Sequence, residues 1–235
     1  SIRWYKNMIG DCSADVVSST VPCSTKWMVG TVNSFYIGII ATVIATALGT
    51  LAALGLSRPH MPYKGLIMAI LISPMIVPLI ITAAGMFFFY ARINLVYTFT
   101  GVILAHVALA TPFVVITVTA TLVGFDMNMV KAAQSLGAKP MRTFFKVIMP
   151  LILPGIISGA LFAFITSFDE VVIVMFMASI DQLTIPKQMW AGIRQEISPV
   201  ILCMATCLVL LSIFLLTTVE LLRRRSEKLR GIKAR

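Results

Sequence analysis

Five apolar runs, each long enough to cross a bilayer, constrain what this chain can fold into more than any other feature. They cover about 27–56, 65–90, 97–123, 150 to at least 168, and 197–219. At ~1.5 Å of rise per residue, each is a match for the ~30 Å hydrocarbon core as a helix. The ends are marked by charge: Lys26 and Arg58, Lys64 and Arg92, Asp126 after the third, and Glu196 and Glu220 around the last. The chain is 59% hydrophobic and 12% charged, with mean hydropathy +0.97. A soluble domain of this length would need far more polar surface. The expectation is an all-α polytopic transmembrane bundle with five spans, preceded by an external polar segment (1–26) and followed by a basic tail (223–235), with a transmembrane domain over 27–222.

The net charge of +10 does not indicate a nucleic-acid binder. The cations sit in short connections and in the tail, with no basic domain to carry a duplex. They are an orientation signal instead. Arg58, His60 and Lys64, the basic interval 131–150, and Arg223, Arg224, Arg225, Lys228, Arg230, Lys233 and Arg235 fall on one side if every run spans. The positive-inside rule makes that side the cytoplasm. The N-terminus is then outside, without an apolar core long enough for a signal peptide. A first residue of Ser1 rather than Met adds to the expectation of a lost upstream span, six in all.

The longest polar interval between runs is KAAQSLGAKPMRTFFKVIMP, 131–150, apart from the ends and one external loop. A short helix over 127–136 should stop at Gly137, and Pro140 should open the next helix at its first turn. Lys131-Ala132-Ala133, three residues, Gly137, nine residues and Val147-Ile148-Met149-Pro150 resemble the EAA loop of ABC-importer permeases, E-A-A-x3-G-x9-I-x-L-P. Val147 and Met149 keep the apolar character of the pattern, whereas Lys131 in place of Glu reverses a charge. The resemblance implies a type I importer permease fold with a cytoplasmic coupling elbow over 124–149. There Lys131, Ala132, Ala133, Ser135, Gly137, Ala138 and Pro150 would meet a separate ATPase, small side chains permitting close approach.

Asp169 and Glu170 sit between apolar stretches, about 28 Å along a straight helix from Pro150. Carboxylates at such depth face a bundle interior or cavity, and on a helix only one of two neighbours can face a central path. They read either as a negative lining for a cationic solute or as a hydrated helix end, or as partners of a cation on another subunit. Ser167-Phe168-Asp169-Glu170-Val171-Val172, Gly124-Phe125-Asp126 and the interval from Ile185-Pro186 to Ile197-Ser198-Pro199 are similar to the second membrane subunit of spermidine/putrescine ABC permeases. This resemblance covers essentially the whole chain. It implies import of a polyamine or other small cation across a bacterial inner membrane; on their own positions, Asp169 and Glu170 with neighbouring Phe168, and Pro74, are the candidate pathway residues. It also implies an ATPase dimer, a second permease and an external binding protein as partners.

Pro74 and Pro78 interrupt the second run, Pro112 the third and Pro154 the fourth; each marks either a pathway-facing turn or a packing kink. His106 reads as a packing residue hydrogen-bonded across helices. Phe87 to Tyr90 and Tyr97 read as an interface belt, and Trp190 either touches solute or binding protein or anchors at the interface. Cys12 and Cys23 could pair in an oxidising compartment, while Cys203 and Cys207, one turn apart without His or carboxylate, are buried packing rather than a zinc site. No G-x4-G-K-[ST], no Ser/His/Asp set and no H-E-x-x-H occurs. The chain is therefore read as a non-enzyme with no cofactor of its own, ATP and Mg belonging to the partner ATPase. A stand-alone secondary transporter or channel is the alternative, and a non-transporting scaffold a third.

Overall fold

A computed structural model describes residues 2–10, 25–58, 61–123, 128–195 and 198–229. Among the described residues every regular element is helical: α1 Ile2–Met8, α2 Lys26–Leu56, α3 Lys64–Ile76, α4 Leu79–Arg92, α5 Phe99–Val123, α6 Asn128–Ser135, α7 Pro140–Thr143, a π-helical turn Phe144–Ile148, α8 Met149–Phe168, α9 Val172–Met177, α10 Ile185–Gln195 and α11 Pro199–Leu229. Among the described residues, four helical stretches are long and apolar enough to cross a membrane: α2, α5, the run Pro140–Phe168, and Pro199–Thr218 within α11. The pair α3 and α4 makes a fifth crossing if it is one broken span.

The second run breaks at Val77 and Pro78, not at Pro74. Pro74 lies inside an unbroken α3. Val77 (φ −72, ψ 134) and Pro78 (φ −53, ψ 128) are both extended, which ends one helix before the next begins. Pro78 caps α4, while Ser73 Oγ donates to the Ile70 carbonyl at 2.8 Å. The fourth run starts earlier than its apolar composition suggests. Helix begins at Pro140, and Pro150 is absorbed by the π-helical turn, in which Met149 N reaches back five residues to the Phe144 carbonyl. A proline has no N–H for the carbonyl four residues back and its ring crowds that carbonyl, so a widened turn just before Pro150 relieves both. Cys12, Cys23, His60 and residues 124–127 lie outside the described residues.

The chain divides into two compact units. The first holds Ser1–Ile40, Pro78–His106 and Ser167–Thr218. Its core is Trp27, Ile185, Val200, Ile201 and Met204, with Trp4 and Met8 of α1 packed against it, so the polar N-terminal stretch contributes a docked helix. His106 Nδ1 and Ser167 Oγ share a buried 2.7 Å hydrogen bond between α5 and α8, the cross-helix role expected of that histidine.

The second unit holds Ala41–Val77, Val107–Thr166 and Val219–Arg235. Here α8 packs on α5 through Gly155 and Gly159. A Cβ on Gly155 would collide with Thr121, and one on Gly159 would lie 2.5 Å from Thr117 Oγ1 and 3.0 Å from the Val114 Cα. Thr117 and Thr121 donate to the carbonyls of Phe113 and Thr117, both at 2.9 Å, so their hydroxyls are satisfied within α5. In lipid the apolar effect does not drive helices together, and close backbone approach at small residues supplies the dispersion contact instead.

Candidate functional site

The interval between α5 and α8 folds into a helix, a turn and a second helix. α6 is stopped at Gly137, whose φ of +79 places it in the left-handed region. Gly137 N donates to the Gln134 carbonyl at 2.9 Å and Ala138 N to the Ala133 carbonyl at 3.0 Å. This pair of bonds is a Schellman stop, and glycine adopts its conformation without a Cβ penalty. Pro140 then opens α7 at its first turn, with Lys139 as the extended N-cap. Ser135 Oγ donates to the Lys131 carbonyl at 3.0 Å, so its proton is used within α6 and only its lone pairs face outward.

The elbow's surface is open. Lys131, Ala132, Ser135, Gly137 and Pro150 are exposed, and Ala133 and Ala138 are half-buried. No atom lies within 4 Å of where a Gly137 Cβ would sit. Leu136 is 89% exposed and Met141 70%. Two large apolar side chains thus stand out on either side of the Gly137 turn. Six of the seven expected elbow residues lie on α6 and the turn that follows it, whereas Pro150 lies in the first turn of α8.

The acidic pair does not sit on a helix. α8 ends at Phe168, and 169–171 form a non-helical link to α9, so the straight-helix extrapolation from Pro150 fails there. The link gives two chemically equal neighbours opposite environments. Asp169 is exposed, while Glu170 is buried, 7% exposed. Glu170 Oε1 accepts a 3.0 Å hydrogen bond from Ile173 N, filling one of the orphan donors in the first turn of α9. Burial pushes the Glu170 carboxyl above its usual range, and bonds from the backbone of Ile173, Val172 and Val171 oppose that shift.

The other end of α9 is capped by Lys187, from α10. Its Nζ donates to the Ala178 carbonyl at 2.8 Å and to the Val174 carbonyl at 3.4 Å. A cation there also suits the negative end of the helix dipole. Desolvation lowers the Lys187 pKa. Ile173, Val174 and Met177 are fully buried, and Tyr97 N donates to the Met177 carbonyl at 2.9 Å. The loop from α9 to α10 is fixed by α2: Asn33 Nδ2 donates to the carbonyls of Asp181 (2.8 Å) and Leu183 (3.0 Å), and Ser34 Oγ accepts from Ile185 N at 2.9 Å. An open groove of about 560 Å3 beside it is lined by Lys26, Ser179, Ile180, Asp181, Lys187 and Gln188, among others.

Phe168 is contiguous with the carboxylates and meets Phe35 edge-on at 5.1 Å. Pro74 belongs to the other compact unit, inside α3. Trp190 is exposed, with the Arg194 guanidinium 5.5 Å over its ring. Sequence reasoning missed Lys187, Asn33 and Ser34, which act on backbone far along the chain and leave no local signal. It also missed Gly155 and Gly159, although their G-x3-G spacing is a readable packing signal.

A family profile described as "binding-protein-dependent transport system inner membrane component" matches residues 25–228, which include both the elbow and α9. The chain belongs to this family. Among similar proteins, the spermidine/putrescine transport system permease protein PotC of Haemophilus influenzae is 30% identical to this family member over 196 residues, 83% of this chain and 76% of the relative. PotC of Escherichia coli K12 is 28% identical, covering 83% of this chain and 74% of its own. The putrescine transport system permease protein PotI of the same strain is 29% identical, covering 88% and 71%. Among solved structures, an amino acid ABC transporter aligns with TM-score 0.64 at 18% identity, covering 85% of this chain and 94% of the other. The inward-facing MetNI methionine ABC transporter aligns with TM-score 0.61 at 19% identity, covering 93% and 100%. The permease thus shares the all-helical membrane fold of ABC transporters.

Proposed function

We propose that this chain is the membrane-spanning subunit of an ATP-driven importer of a small organic cation of the polyamine class. It works with an ATPase dimer that binds ATP and Mg, a second, related permease and an external binding protein. It resides in a bacterial inner membrane with its C-terminus in the cytoplasm. The observation that carries the reading is the elbow: a helix–glycine–helix corner stopped at Gly137, largely exposed, with Leu136 and Met141 standing out from it. Such a corner suits a cleft on another protein. The names of PotC and PotI support the polyamine class, and the exposed carboxylate of Asp169 supports a cationic solute.

In this mechanism, ATP binding closes the ATPase dimer, whose closed and open forms differ in affinity for two arrangements of the elbows. That difference is how the energy of ATP reaches the spans. The chain itself contributes a joint and a path, and no bond is made or broken on it. Asp169 attracts the cation, while Glu170 holds α9 in place beside it.

Gly137→Asn tests the joint. Asn tolerates the left-handed conformation, and open space surrounds the position, so the fold should survive. Uptake and solute-stimulated ATP hydrolysis should fall by roughly tenfold or more at unchanged membrane abundance, as expected when a side chain intrudes on a packed contact. Full transport by this variant removes the coupling role. For the path, Asp169→Asn should weaken uptake of putrescine or spermidine while leaving abundance unchanged; unaltered kinetics take Asp169 out of the pathway.

A further inference from the structure

Threonines on the long helices share one habit. Thr31 of α2, Thr111, Thr117 and Thr121 of α5, and Thr206, Thr217 and Thr218 of α11 each donate to the carbonyl four residues back, at 2.7 to 2.9 Å. Thr46 and Thr50 of α2 break it. Both hydroxyl oxygens are buried and unbonded, and Thr50 is 8% exposed. Thr119 of α5 is unbonded as well, but it stands apart from the groove that the other two share. Thr46 and Thr50 lie one turn apart on one face of α2. That face floors an open groove of about 570 Å3, walled by α2 from Thr42 to Leu54 and by the π-helical turn and α8 from Phe144 to Ala160. Both walls belong to the second compact unit. Apart from Thr42, Thr46 and Thr50, every side chain lining it is apolar.

Depth identifies the occupant. Lys26 and Arg58 bound the apolar run of α2, and Thr42 is midway between them. From Thr42 to Leu54 is ~18 Å of helix, against ~15 Å for half of the hydrocarbon core. The groove thus runs from the bilayer centre to the boundary on the Arg58 side, the depth of one leaflet. Thr50, ~12 Å from the centre, lies just inside that boundary, where the esters of the lipids begin. We infer that the groove seats one acyl chain of a phospholipid from the cytoplasmic leaflet, and that the ester carbonyl of this chain accepts a hydrogen bond from Thr50. A buried donor in hydrocarbon needs an acceptor, and the ester supplies one that nothing else at that depth uses. A helix of another subunit is a poorer match, because its carbonyls are spent in its own ladder. Arg58, exposed one turn beyond Leu54, stands at the level of the lipid phosphate. Such a site requires only that α2 span the bilayer, whatever the solute or the ATPase.

The transporter complex is purified from membranes, stripped of lipid in detergent, and titrated with diacyl phosphatidylglycerol or with its diether analogue, which lacks ester carbonyls. Native mass spectrometry counts the lipid bound per complex. Diacyl lipid should bind roughly fivefold more tightly than diether lipid, the worth of one neutral hydrogen bond. Thr50→Val, a change of hydroxyl to methyl, should abolish that preference, and Thr46→Val, one turn deeper, should leave it. Ala47→Phe, which fills the groove, should lose both lipids. Stripped Thr50→Val should melt no lower than stripped wild type, and lower than wild type once diacyl lipid is added. An ester preference that survives in Thr50→Val, or that Thr46→Val removes instead, overturns the assignment. So does equal lipid occupancy in wild type and Ala47→Phe. A photoreactive group at residue 47 should capture lipid; if it captures a protein subunit, a helix fills the groove and the lipid site is refuted.

Discussion

Two short helices interrupt the long ones, and they are built in opposite ways. α6 closes with bonds from its own backbone, at Gly137 and Ala138, and its cations and apolar knobs all reach outward. α9 is capped at both ends by ionisable side chains outside it, Glu170 of the link before it and Lys187 of α10 after it, and Ile173, Val174 and Met177 are buried. The first segment is stopped by its own backbone and leaves Lys131 and Leu136 exposed to another molecule. The second spends its polar groups internally and holds its neighbours in place. A residue type therefore says little about its role here until its surroundings are known: Lys131 is open to a partner, and Lys187 is a structural cap.

That contrast can be broken in order of effect. Leu136→Asp, at the exposed knob, should cut uptake by roughly tenfold or more with normal abundance and thermal stability, because it removes an interface contact and no internal one. A drop in stability would mean the elbow is packed after all. Lys187→Met should do the reverse, leaving the Ala178 carbonyl without its lysine donor while the Val174 carbonyl keeps Ala178 N, at a cost of about 1–3 kcal/mol, read as a lower melting temperature. Transport loss without destabilisation would move Lys187 from the cap to the pathway.

The smallest effect is the pH response of α9. Because burial raises the Glu170 pKa, the folded state binds more protons than the unfolded one between the ordinary carboxylate value and the raised one. Stability must then fall as pH rises through that window and is recovered in full below the ordinary value. Hydrogen exchange of α9 amides, corrected for intrinsic rate, should slow as pH drops through it, and Glu170→Gln should flatten the response. An unchanged pH profile in that variant would show that another group titrates there.

Much of the fold was legible from local chemistry. The apolar runs are helical, Gly137 ends α6 and Pro140 begins α7, because each depends on a residue's own transfer free energy or backbone preference. The π-helical turn was not anticipated, although its cause, Pro150, was in plain view. The break at Val77 was placed too widely, since Pro74 and Pro78 are equally good helix breakers on paper and only Pro78 ends up between helices.

Sequence alone determined that this chain is an all-helical membrane protein and where its basic elbow turns, while the number of spans stayed approximate, four or five according to how the α3 and α4 pair is counted. Tertiary structure decided which polar groups are used up inside. Asp169 and Glu170 are adjacent and alike, yet one is open and one is buried at the start of α9. Asn33 acts on a loop some 150 residues away. The reason is physical: the free energy of placing a residue in lipid or in a turn belongs to that residue, whereas burial and hydrogen bonding belong to whichever distant atoms the fold brings beside it.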